Sequence, residues 1–169
     1  MIGLSGMFQA CGATTIGEPL LCMIRDQFAL EWDGIHGAPH WARVCENGLR
    51  LARSTGAKRH VIELFSVLHD ARRLDDGDDF EHGQRAARFV QQLAGVAFEL
   101  PPDDLELLIA ACRRHSDGLM AGDITVLTCW DADRLDLGRV GIKPTAERLC
   151  TTAARDPAVM SWAYHRSLR

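Results

Sequence analysis

The sequence predicts an all-α fold, a bundle of short helices. Apolar residues recur every three to four positions in successive segments, and Pro and Gly punctuate those segments where helices start and stop. No segment shows the clear apolar/polar alternation of a half-buried strand, and no internal repeat or low-complexity tract interrupts the pattern. A length of 169 residues suits one domain. It is read as residues 18–169, preceded by a loose Gly- and Thr-rich arm over 1–17 to which the sequence assigns no role.

The first expected helix runs from Pro19 to Trp32 on Leu20, Leu21, Ile24, Phe28 and Leu30. After the loop DGIHGAP, a second begins at Pro39 or His40, since Pro is tolerated at the first helical position, and reaches Arg53. Residues 58–70 form a short helix with Val61, Ile62, Leu64, Phe65, Val67 and Leu68 on most of its sides, the mark of a buried element. The charged loop ARRLDDGDDFE separates it from a helix over 82–97. Pro101 and Pro102 stop that helix and start the next, over 103–115, with Asp103 and Asp104 at its positive end. A further helix covers 123–137, and two weaker ones lie near 145–154 and 157–167.

Composition excludes several classes. The formal net charge is −4 and the basic residues are dispersed, which argues against broad nucleic-acid binding, because that binding rests on phosphate neutralisation. Residues 1–21 carry Gly, Ser, Gln, Thr and Pro and suit neither a membrane span nor a secretory leader, whose basic start is missing. The six cysteines form no C-x-x-C pair. The expectation is a cytoplasmic protein with reduced thiols, most of them core residues. The sequence leaves the oligomeric state open.

Ionisable residues fall where core residues belong. His40 shares a helix face with Val44, Gly48 and Leu51, and His82 with Ala86, Phe89 and Leu93. His115 lies one turn beyond Cys112, and Asp133 follows Val126 and Trp130. An uncompensated buried charge costs several kcal/mol or more. A divalent cation would neutralise the carboxylates and use the imidazole lone pairs, and the adjacent His69 and Asp70 offer it one N and one O donor. Trp41 and Trp130 read as core, and His60 and His165 as solvated surface residues.

Three segments, HGAPHWARV, LFSVLHDARR and DADRLDLGRVGI, follow one another over roughly residues 34–143, with His40, then His69-Asp70, then Asp133 in the order H…HD…D. The chain resembles the HD-domain superfamily of metal-dependent phosphohydrolases. The resemblance implies an HD-domain-like helical bundle with a metal site between helices, and a divalent metal that activates water against a phosphorus centre. His40, His69, Asp70 and Asp133 are then the metal ligands. Asp131 competes with Asp133, but the motif places its aspartate before Arg134-Leu135, which leaves Asp131 to orient a ligand. The two-metal branch has the order H…HD…H…H…D, and His82 and His115 can fill its extra places, with Asp70 bridging metals about 3.5–4 Å apart. His115 stands alone where relatives with a second site often carry a paired His, so one or two ions remain open. With one ion, His82 or His115 transfers protons, and His82 is the candidate general acid beside Asp70 as the central catalytic carboxylate.

Arg73 and Arg85 are the candidates for holding substrate phosphate, because guanidinium binds it bidentately. Their competing role is pairing with the acidic run Asp75, Asp76, Asp78 and Asp79. His36, four residues before His40, could line the pocket mouth. The expected function is hydrolysis of a nucleotide or other small phosphorylated metabolite. The ion could be Mn, Fe, Co, Ni, Zn or Mg, since N/O sites accept them all. Two other readings share these residues: an HD-type diiron oxygenase, and a non-catalytic module that binds a nucleotide or partner.

Overall fold

The computed structural model describes residues 6–169 as an all-helical bundle. Helix α1 spans Gly6–Ala10, α2 Glu18–Arg25, α3 Ala38–Thr55, α4 Arg59–Leu68, α5 His82–Leu93, α6 Pro102–Arg114, α7 Ile124–Arg134 and α8 Pro157–Ser167. Two 3₁₀ turns, Leu137–Val140 and Ala146–Arg148, lie between α7 and α8. Among the described residues there is no strand, only an isolated bridge between Ala94 and Phe98. No described helix is long and apolar enough to cross a membrane.

Helix α4 sits at the centre. Every residue from Val61 to Leu68 is buried, so its side chains meet neighbours on all faces: α3, α6 and α7. Helix α3 packs on α4 and α7, and α5 pairs with α6. Gly48 sets the α3–α4 approach, because a Cβ there would fall 2.4 Å from Ile62 Cγ2. Pro39 opens α3, and Gly56 closes it in the left-handed region at φ +73°. Asp123 caps α7 by accepting from Thr125 N at 2.7 Å.

The arm expected to be loose is docked wherever it is described; residues 1–5 lie outside the described residues. Phe8, Ala13 and Ile16 enter the core, and the buried Glu63 carboxylate accepts from Thr14 N at 2.9 Å and Thr15 N at 2.7 Å. Helix α2 stops at Arg25 instead of Trp32. Phe28 and Trp32 fold back onto the buried Trp41, with ring centroids 5.1 and 5.3 Å from it in edge-on contacts. All six cysteines are free thiols, with Cys45, Cys112 and Cys129 buried.

Asp104, in the first turn of α6, ties that helix to the start of α4. It accepts from Lys58 Nζ and from His60 Nε2, so His60 is a paired residue and not merely a solvated one. The Lys58 and His60 contacts hold the Asp104 carboxyl below its ordinary value of 3.8. A lowered folded-state value stabilises the fold above pH 3.8, and that contribution is lost as pH falls further. Thermal melts at pH 7 and pH 3 should show a smaller loss on acidification for Asp104→Asn than for the native chain. Equal losses would remove Asp104 from the acid response.

Candidate metal centre

Helix ends converge to build the site. His40 lies in the first turn of α3, His69 and Asp70 directly follow α4, His82 begins α5, His115 follows α6, and Asp133 ends α7. Each helix ends near the same point, so its terminal polar side chains are brought together while its apolar face stays in the core. His40 and His69 have no solvent exposure, and Asp70, His82 and His115 are at most 5% exposed.

The tautomers follow from hydrogen bonding. His40 Nδ1 donates to Asp136 Oδ2 at 2.7 Å, and His69 Nδ1 to the Phe65 and Ser66 carbonyls at 3.1 and 3.2 Å. His82 Nδ1 donates to the Asp79 carbonyl, and His115 Nδ1 to that of Cys112 at 2.8 Å. In each neutral ring Nε2 then carries a lone pair. Yet His40 Nε2 faces His69 Nε2 at 3.1 Å, and His82 Nε2 faces His115 Nε2 at 2.8 Å. Two lone pairs cannot satisfy one another; each pair requires a proton or a cation between them.

The carboxylates complete two sets. Asp133 Oδ1 lies 3.5 Å from His40 Nε2 and 3.8 Å from His69 Nε2, and Asp70 Oδ2 is 3.7 Å from both. The other Asp70 oxygen, Oδ1, is 3.4 Å from both His82 Nε2 and His115 Nε2. Neighbouring donors on an ion with bonds of about 2.1 Å lie about 3.0–3.4 Å apart in octahedral or tetrahedral geometry, close to this spacing. Asp70 Oδ1 and Asp133 Oδ1 are buried without a hydrogen-bond partner. The residues therefore fit one divalent cation, or two that share Asp70.

The electrostatics suit a cation. Burial pushes the His40 and His82 imidazoles down, and lowers His69 to about 4, so these rings keep their lone pairs at neutral pH. Burial opposes ionisation of Asp70, but the His69 and His115 rings beside it outweigh this and hold its carboxyl well below the ordinary range. Asp133 is lowered in the same way, against burial, by His69 and Arg139. His115 is raised by Asp70 in spite of burial.

The site opens into a cavity of about 470 Å³ lined by Asp70, His82, His115 and Asp133. Arg73 lines it with Nη1 3.7 Å from Asp70 Oδ1, and its other nitrogens donate to the Asp75 and Gly77 carbonyls. Arg85 does not line it. Asp79 binds its guanidinium, and its Nε donates to the Arg72 carbonyl at 3.0 Å, which is the competing acidic-loop role. Asp131 orients no ligand. Its carboxylate accepts from Cys150 N, Thr151 N and Thr151 Oγ1 and pins the segment that follows the second 3₁₀ turn. His36 does line the cavity and contacts Asp76 at 2.9 Å.

Sequence reasoning missed Asp136 and Arg139. Arg43 donates to both Asp136 oxygens, at 2.7 and 3.1 Å, while Asp136 holds His40. Arg139 Nη2 lies 3.8 Å from Asp133 Oδ1 at the cavity wall. Asp136 lies past the end of α7 and Arg139 in the first 3₁₀ turn, so no helical period in the sequence marks them. Asp136→Ala should weaken metal binding by about 10–100-fold, because it removes the acceptor that fixes the His40 ring. Metal titration followed by calorimetry reads this, and unchanged affinity would show that Asp136 does not act through His40.

No protein-family model and no curated protein matches the chain. Its structure is similar to the crystal structure of a predicted HD superfamily hydrolase from an uncultured Thermotogales bacterium. The TM-score is 0.66 at 24% sequence identity, over 86% of this chain and 83% of that one. With the helices and their ends arranged in this way, the chain has the HD-domain fold.

Proposed function

We propose that the chain is an HD-superfamily hydrolase that cleaves a phosphate ester of a small metabolite such as a nucleotide. The observation that supports this most is the set of four imidazole lone pairs and two partnerless carboxylate oxygens at the floor of an arginine-lined cavity. A bound divalent cation would supply Lewis acidity there and lower the pKa of water towards about 7. His40, His69, Asp70 and Asp133 are the residues to hold it. Arg73 and Arg139 flank the carboxylates and can orient non-bridging phosphate oxygens. His82 and His115, joined at Asp70 Oδ1, would hold a second cation or pass a proton to the leaving oxygen.

The test is phosphate release from a panel of small phosphoesters, with the protein loaded in turn with Mn, Fe, Co, Ni, Zn and Mg. Release that stops with chelator and returns with metal is the expected result. No release under any metal would overturn the reading. The six-donor set also suits the diiron oxygenase alternative, which would show as bound iron and substrate-dependent oxygen uptake.

A further inference from the structure

The cavity carries more positive charge than its metal floor explains. Arg73 and Arg139 face Asp70 and Asp133, but Arg134 and Arg148 also line the cavity, with no carboxylate within 4 Å among the described residues. Arg134 is held in place by neutral acceptors. Its Nη2 donates to the Leu119 carbonyl at 2.7 Å, and its Nη1 to the Arg148 carbonyl and Cys150 Sγ at 3.1 Å each. Burial raises the Cys150 thiol to about 11, so it is uncharged at neutral pH. A guanidinium fixed by neutral groups keeps its full charge for an anion. Leu137, Val140 and Met120 line the same cavity, and Met120 Sδ lies 3.3 Å from Arg134 Nη1.

We propose that Arg134 and Arg148 form a second anion site, so that the substrate carries one phosphate at the metal floor and another anionic group at these guanidiniums. The inference takes from the proposed function only that one phosphate sits beside Asp70 and Asp133. Glu147, lining the same cavity, sharpens the choice, since its carboxylate disfavours an anion placed anywhere except against the two guanidiniums.

The test uses three adenosine 5′-methylenephosphonates, which cannot turn over at that end. One has a free 3′-hydroxyl, one a 3′-phosphonomethyl group and one a 3′-carboxymethyl group. Each is titrated by calorimetry into manganese-loaded protein. A compound with the second anion should bind about tenfold more tightly than the parent, as a charge-assisted guanidinium contact allows. Which of the two binds better tells phosphate from carboxylate. The ratio should collapse towards one in Arg134→Gln and in Arg148→Gln, the latter in an exposed 3₁₀ turn where folding is least at risk. Equal affinity for all three, a ratio untouched by both variants, or no binding at all would overturn the second site. A preference without phosphate release from any ester would leave this inference standing and remove hydrolysis. Release without preference would do the reverse.

Discussion

Asp70→Asn is expected to abolish phosphate release and, in metal-free protein, to lower the melting temperature. The two effects share one cause. Asp70 offers each oxygen to a different pair of imidazoles, so a change there removes the only carboxylate common to both sets. The loss of activity should exceed the about 10–100-fold typical of a supporting partner. Without metal, the His69 and His115 rings still favour the ionised Asp70 over burial, so its charge stabilises the fold at neutral pH. A neutral amide gives up that contribution. Calorimetric melts with chelator read the drop, and an equal or higher melting temperature for the variant would show that the buried carboxylate burdens the metal-free fold.

Gly83→Ala should cost about 1–3 kcal/mol of stability and uncouple His82 from His115. A Cβ at position 83 would fall 2.6 Å from the Arg113 carbonyl oxygen and 3.0 Å from that of Cys112. Both are α6 backbone, so α5 must move away as a unit. His82 is the adjacent residue, and its Nε2 stands only 2.8 Å from His115 Nε2. Displacement therefore opens the second donor set while leaving His40, His69 and Asp133 in place. The expected result is a lower melting temperature together with loss of the weaker of two metal-binding steps, or, with one ion, a slower turnover at unchanged metal affinity. A destabilised variant with metal binding and turnover intact would show that the α5–α6 approach matters for packing alone.

Much of this architecture was legible in the sequence because the helix signals were local. Pro39, Pro102, Gly56 and the apolar periods mark ends that the structure places within a few residues of expectation. Failures came where a distant partner decides. One exception is local: helix α5 ends at Leu93 instead of 97 because Gly95, at φ +76°, turns the chain and donates to the Phe98 carbonyl. The helix expected near 145–154 shrinks to one 3₁₀ turn because Asp131 captures the amides of Cys150 and Thr151. The N-terminal arm docks through Glu63, far away in sequence.

The site was legible to the same degree. His40, His69, Asp70, His82, His115 and Asp133 come together, since each lies at a helix end where its face points inward. Arginine placement was not legible, because a long side chain chooses among acids the sequence cannot position. Arg85 binds Asp79, while Arg139, from a short turn with no clear period, reaches the cavity.

These helix ends are proposed to hold a metal through Asp70. Elemental analysis of protein purified without chelator, native beside Asp70→Ala, tests it most directly. One or two metals per native chain, and fewer in the variant, is the predicted result. No metal in either protein, even after reconstitution, would contradict it.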